Sequence, residues 1–186
     1  MKDPSKYLDR ILLDTYSIGS IVRSLAVQIK LDYKDKQDDL IVISVLKGAY
    51  FFTADILRAL SPELDPVVEF VQLSSYGSGH ESSGELKFKK ELDGVDISGK
   101  DVLIVEDIVD TGLTISKLKE YLLGKGAKSV RICVLLDKSE ARKVEVQLDY
   151  VGSKIPSEFV VGYGLDYGEK YRNLPYIGVL KKEIYS

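Results

Sequence analysis

One stretch of this chain is better equipped for chemistry than any other: Val102-Leu103-Ile104-Val105-Glu106-Asp107-Ile108-Val109-Asp110-Thr111-Gly112-Leu113-Thr114. The apolar run reads as a strand buried on both faces. In open α/β sheets, ligands sit at the C-terminal ends of such strands. Thr111-Gly112-Leu113-Thr114 opens a helical segment, and its backbone N–H groups, with two hydroxyls beside them, form a cradle for phosphate. Glu106 and Asp107 can accept hydrogen bonds from sugar hydroxyls and help hold Mg²⁺. A phosphate cradle beside paired carboxylates suits a phosphorylated sugar with a vicinal diol. The alternative for the pair is a solvated acidic turn, although adjacent carboxylates repel and are costly to hold together without cations or hydroxyl donors.

These residues need elements to position them. Ile18, Ile21, Val22, Leu25, Ala26 and Ile29 recur at helical spacing, which predicts an amphipathic helix over about 14–31. Strands are expected at 40–46 and 67–73, with a helix at 50–60 between them. Residues 77–84 gather glycines and serines around His80 and read as a loop; His80 there is more simply a bystander than a catalyst. A half-exposed strand follows at 86–92. The motif strand, 101–106, feeds a helix at 113–123, which Gly124 and Gly126 stop. Further strands are expected at 129–136, 147–152 and 159–161. Alternating strands and helices imply an α/β fold with a parallel sheet and right-handed crossovers.

At 186 residues the chain suits one domain, spanning 1–186, with a substantial core. The net charge of -3 gives no electrostatic case for nucleic acid or an anionic membrane, so an anionic substrate must be met locally. The one cysteine, Cys133, lies in an apolar run and reads as a small core residue. With one His in the chain, no zinc-type Cys/His cluster is expected. No segment reads as a signal peptide or membrane span, so the default expectation is cytoplasmic.

Residues 102–114 resemble the phosphoribosyl-diphosphate (PRPP) motif of type I phosphoribosyltransferases. Val45-Leu46-Lys47-Gly48, Ser74-Ser75-Tyr76-Gly77-Ser78-Gly79, Leu135-Leu136-Asp137-Lys138 and the run Glu158 to Tyr167 stand in the order and spacing of the hypoxanthine-guanine phosphoribosyltransferases. The resemblance extends from about Leu40 to Ile177. It implies a parallel-sheet type I fold in which the first and last portions form a small hood. The implied reaction is purine salvage: the base attacks C1′ of PRPP, and IMP or GMP forms with release of pyrophosphate.

The resemblance also implies roles. Glu106 and Asp107 contact the ribose hydroxyls, directly or through Mg²⁺. Thr111, Gly112, Leu113 and Thr114 hold the 5′-phosphate; many relatives carry Lys or Asn where this chain has Leu113, which removes one side-chain contact and leaves the amides. Asp110 is the candidate acid/base, because attack of the purine at the anomeric carbon requires loss of a ring proton, which a carboxylate near N7 could take up; capping the next helix is its other use. Lys47-Gly48 follows a strand and precedes a helix, and in the family this loop binds pyrophosphate, with a Leu46-Lys47 peptide that can be cis. Arg172 grips a pyrophosphate oxygen, and Asp166 helps bind Mg²⁺ there.

On the purine side, an ammonium at Lys138 can donate to the O6 carbonyl of a 6-oxopurine but cannot accept from the 6-amino group of adenine. Phe159 offers a face for stacking and Ile108 covers the other side, with core packing the alternative for both. Main-chain groups of Val160 and Asp166 read the base edge. Ser75 and Tyr76 head a loop that closes over PRPP. For Lys47 and Lys138, a solvated lysine is the alternative. The family also implies a homodimer or homotetramer.

Three rivals are carried alongside. A regulatory RNA-binding protein on the same fold would need a basic surface and leaves Asp110, Lys138, Phe159 and Asp166 unexplained. A sister transferase for adenine, uracil or orotate is opposed by Lys138 and the 159–167 segment. A PRPP-making synthetase would need an ATP-binding region, and none is recognised.

Overall fold

A computed structural model describes residues 6–35, 39–73 and 87–185. In chain order the elements are β1 (Leu8–Leu13), α1 (Thr15–Tyr33), β2 (Leu40–Leu46), α2 (Tyr50–Leu60), β3 (Val67–Leu73), β4 (Phe88–Lys90), β5 (Asp101–Val109), α3 (Leu113–Gly124), β6 (Ser129–Asp137), β7 (Tyr150–Lys154), β8 (Val160–Val161), β9 (Ile177–Leu180) and α4 (Lys182–Tyr185). Six strands form the main sheet in the order β4-β3-β2-β5-β6-β7. The pairs from β3 to β7 are parallel, and β4 adds an antiparallel edge. β1, β9 and β8 form a second, antiparallel sheet from the two ends of the chain.

The unbroken apolar runs exist because both faces of the main sheet are covered. Side chains alternate along a strand, so Leu40, Val42, Leu103, Val105, Cys133 and Leu135 join the core under α1, α2 and the second sheet. Their neighbours Ile41, Ile43, Val102, Ile104, Ile132 and Val134 join the opposite core, which α3 closes with Ile115, Leu118 and Leu122. Each large aliphatic side chain buried in this way contributes roughly 1.5–3 kcal/mol. Cys133 is wholly buried, as its apolar surroundings predict, and burial pushes its thiol far above the ordinary range.

α1 is fixed at its start by Asp14, whose carboxylate accepts from the Ser17 N–H at 2.8 Å. That helix extends to Tyr33, two residues past the expected end. Three strand expectations also need correction. β5 continues past Glu106 to Val109, because Ile108 and Val109 pair with Leu136 and Asp137 of β6. The strand expected at 147–152 is β7 at 150–154: the Asp149 carboxylate and N–H bond the Ile132 amide and carbonyl just before it, at 2.9 and 3.0 Å, and so consume the groups a ladder would use. β4 is limited to Phe88–Lys90, with a register irregularity against β3. Among the described residues no helix is long and apolar enough to cross a membrane.

Candidate active site

The longer β5 brings Glu106, Asp107 and Asp110 to the sheet's C-terminal edge. Glu106 to Gly112, with Thr114 and Ile115, line a recess of about 230 Å³. Asp107 is buried, Glu106 partly buried and Asp110 exposed. The Asp107 N–H donates to Glu106 Oε1 at 3.1 Å, and the Ile108 N–H donates to Asp107 Oδ1 at 2.8 Å. Burial, and then the neighbouring Asp107 charge, hold the Glu106 carboxyl well above the usual range. Burial also raises Asp107, tempered by the hydrogen bonds it accepts and by the positive charge of Arg172. A carboxylate pair in this condition is suited to a cation or to hydroxyl donors.

At the mouth of the recess, Gly112 caps α3 with φ of 80°, a left-handed conformation that suits glycine. Leu113 and Thr114 begin the helix, so their N–H groups have no intrahelical acceptor. The Thr111 hydroxyl lies 3.4 Å from the Leu113 N–H.

The loop after β2 meets this edge directly. A side chain at Gly48 would put Cβ 1.6 Å from Asp107 Oδ2, so glycine is required for the loop to lie against the carboxylate. The Leu46-Lys47 peptide is cis. Gly164 packs in turn on the Gly48 carbonyl. Its own carbonyl accepts from Arg172 Nη1 at 2.7 Å, and Arg172 Nη2 reaches Asp166 Oδ1 at 2.8 Å. Lys47, Gly48, Asp166 and Arg172 thus share one corner beside Asp107.

The remaining predicted residues are distributed around these two. Lys138 follows β6, and its N–H donates to the Val109 carbonyl at 2.9 Å. Ile108 is partly buried against the larger core. The Phe159 ring stacks on Tyr185 at 4.9 Å and meets Tyr167 edge-on at 5.5 Å, which joins it to the Asp166 segment. Val160 lies in β8, an edge strand of the second sheet. Ser75 and Tyr76 lie outside the described residues.

Two partners of the site carry no local signal in the sequence. Arg142 Nε donates to the Asp110 carbonyl at 3.1 Å, while Nη2 binds the Asp137 carboxylate; both side chains are largely buried. Lys143 N–H donates to the Thr111 carbonyl at 2.9 Å. The end of β6 and the turn after it thereby hold the Asp110–Thr111 turn in place. Glu169 is the second: its carboxylate lies 3.1 Å from both Lys47 Nζ and Arg172 Nη2. An acid three residues before an Arg and distant in sequence from Lys47 offers no pattern to read.

Among the described residues no group of three or more His, Cys, Asp or Glu side chains could hold a metal by itself. Carboxylates at Glu106, Asp107 and Asp166 nevertheless suit Mg²⁺, which commonly takes one or two protein carboxylates and completes its shell with water and substrate phosphates.

Residues 10–168 match the model of the phosphoribosyl transferase domain. The hypoxanthine-guanine phosphoribosyltransferase of Staphylococcus epidermidis is 46% identical over 181 residues, covering 97% of this chain and 98% of that protein. A crystal structure of a hypoxanthine phosphoribosyltransferase from Staphylococcus aureus superposes with a TM-score of 0.91 at 43% identity, over 100% of this chain and 99% of the other. The enzyme of Trypanosoma cruzi, as a ternary substrates complex, gives 0.90 at 42% identity, over 97% of this chain and 100% of the other. With the motif strand, the loop at Lys47-Gly48 and the 158–172 segment assembled at one sheet edge, this likeness has a structural basis, and the chain belongs to the hypoxanthine-guanine phosphoribosyltransferases of the phosphoribosyl transferase domain family.

Proposed function

We propose that this protein transfers the 5-phosphoribosyl group of PRPP to hypoxanthine or guanine, giving IMP or GMP and pyrophosphate. The observation that carries this reading is the contact of Gly48 with Asp107, which sets the corner holding Lys47 and Arg172 beside a phosphate cradle. PRPP has phosphate at one end and pyrophosphate at the other, with a vicinal diol between, and the two parts of the site match those ends.

In this reading, amides and hydroxyls at Thr111, Gly112, Leu113 and Thr114 bind the 5′-phosphate. Glu106 and Asp107 accept from the ribose hydroxyls. Asp110, exposed at the recess, takes the proton from N7 as the base bonds to C1′. Lys47, Gly48 and Arg172 bind the pyrophosphate, which leaves with the electrons of the C1′–O bond. Bound Mg²⁺ would supply neutralisation of the leaving group, held through Glu106, Asp107 and Asp166. Orientation and charge stabilisation then account for most of the acceleration. Lys138 donates to O6, Phe159 and Ile108 flank the ring, and main-chain groups of Val160 and Asp166 face its edge. The same reading places the protein in the cytoplasm as a homodimer or homotetramer.

The test is a spectrophotometric assay with PRPP and Mg²⁺, offering hypoxanthine, guanine, xanthine and adenine separately. Turnover of hypoxanthine or guanine with adenine inert is the expected outcome. Lys138→Gln should then lower kcat/KM for 6-oxopurines by roughly 10-fold to 100-fold, the worth of one charge-assisted hydrogen bond. An unchanged base profile would reject the role of Lys138. PRPP binding without turnover of any base would favour a regulatory protein instead.

A further inference from the structure

Lys47 and Arg172 lie far apart along the chain, yet both point at one oxygen. Glu169 Oε2 lies 3.1 Å from Lys47 Nζ and 3.1 Å from Arg172 Nη2. Its backbone is set to deliver that oxygen. Glu169 has φ of 63°, in the left-handed region that few L residues adopt, and its N–H donates to Asp166 Oδ2 at 2.8 Å. Asp166 in turn binds Arg172, so the acid, the turn and the arginine form one unit. Arg172 Nε is buried with no hydrogen-bond partner among the described residues. Glu169 itself is well exposed, with 64% of its side chain accessible.

We propose that Glu169 is an internal stand-in for pyrophosphate, a specificity-determining carboxylate that holds the two cations the leaving group takes and exchanges with it. The inference rests on the reading of Lys47 and Arg172 as pyrophosphate ligands. A single carboxylate on two cations at an exposed site is held weakly. Pyrophosphate carries more charge and more acceptor oxygens, so it displaces the side chain. When pyrophosphate leaves, the carboxylate returns and the cations are not stranded, which eases product release. An ordinary surface ion pair would affect folding stability and leave pyrophosphate affinity untouched.

The experiment is isothermal titration of inorganic pyrophosphate, with Mg²⁺, into the wild-type protein and into Glu169→Gln, followed by initial rates. Removing the competing charge should tighten pyrophosphate binding by about threefold to tenfold, the scale of one or two exposed ion pairs. KM for PRPP should fall by a similar factor, and KM for hypoxanthine should stay the same. Unchanged or weaker pyrophosphate binding overturns the proposal. Lys47→Gln separates the two levels of the argument. If it weakens pyrophosphate binding while Glu169→Gln does nothing, only the role of Glu169 falls. If it changes nothing, the pyrophosphate reading of this corner falls with it.

Discussion

The loop proposed to cradle the 5′-phosphate is one uninterrupted stretch, Glu106 to Thr114, whereas the corner beside it joins Lys47 to Glu169 across 122 positions. The loop is made by local rules: a strand ends, a glycine takes a left-handed turn, and a helix begins. The corner is made by packing, with Gly48 pressed on Asp107 and Gly164 pressed on Gly48. A local motif can announce itself in a sequence, while a packed corner exists only after the sheet has formed. The division is not complete, because Arg142 ties even the local loop to Asp137 and thus to β6.

Four substitutions test this contrast. Asp110→Asn strikes the loop's chemistry alone: turnover should fall by about 10²–10⁴-fold with PRPP affinity little changed, as steady-state rates and PRPP titration would show. Wild-type turnover would remove Asp110 from the mechanism. Gly48→Ala strikes the corner. Its methyl group meets the Asp107 carboxylate, so the loop must shift, and a displacement of about 1 Å is worth roughly 10²-fold in kcat/KM. Full activity in that variant would mean that the contact between the two regions does not matter.

Arg142→Met probes the exception, the long-range support of a local loop. Leaving Asp137 buried without its cation should cost about 2–4 kcal/mol in chemical denaturation, and KM for PRPP should rise. A stable variant with unaltered KM would return the loop to purely local control.

The smallest effect concerns pH. Burial and Asp107 raise the Glu106 carboxyl in the folded chain above its ordinary value near about 4.3. An acid with a raised folded value contributes its full stability below the unfolded value, and loses it as pH climbs through the folded one. Glu106→Gln should therefore raise the Tm of the ligand-free protein at neutral pH, and the gain should fade toward about pH 4. PRPP binding should weaken in the same variant. A Tm gain equal at all pH values would show that ionisation of Glu106 is not its source.

Much of this was legible in advance. The helical spacing from Ile18 to Ile29 marked α1, and the apolar runs at 40–46 and 129–136 marked strands. Less legible were ends decided by partners. β5 reaches Val109 because β6 continues beside it, and Asp149 displaced the start of β7 by spending its groups on Ile132. In the site, Glu106, Asp107, Asp110 and Gly112 could be picked out by type and spacing. Arg142, Asp137 and Glu169 could not, since an arginine in a turn or an acid near a strand end has no local pattern that says what it will meet.

Hydrophobic periodicity, turn chemistry and the spacing of Glu106 to Thr114 are properties of neighbours along the chain, so the sequence by itself determined the α/β class, the parallel sheet and the strand, turn and helix that form this recess. Tertiary structure alone decided that Lys47 and Arg172 share one carboxylate, that Gly48 lies on Asp107, and that Arg142 braces the loop carrying Asp110. Those contacts depend on how the sheet stacks its strand ends and how the chain's last third folds back over them, and such distances are set by packing rather than by spacing.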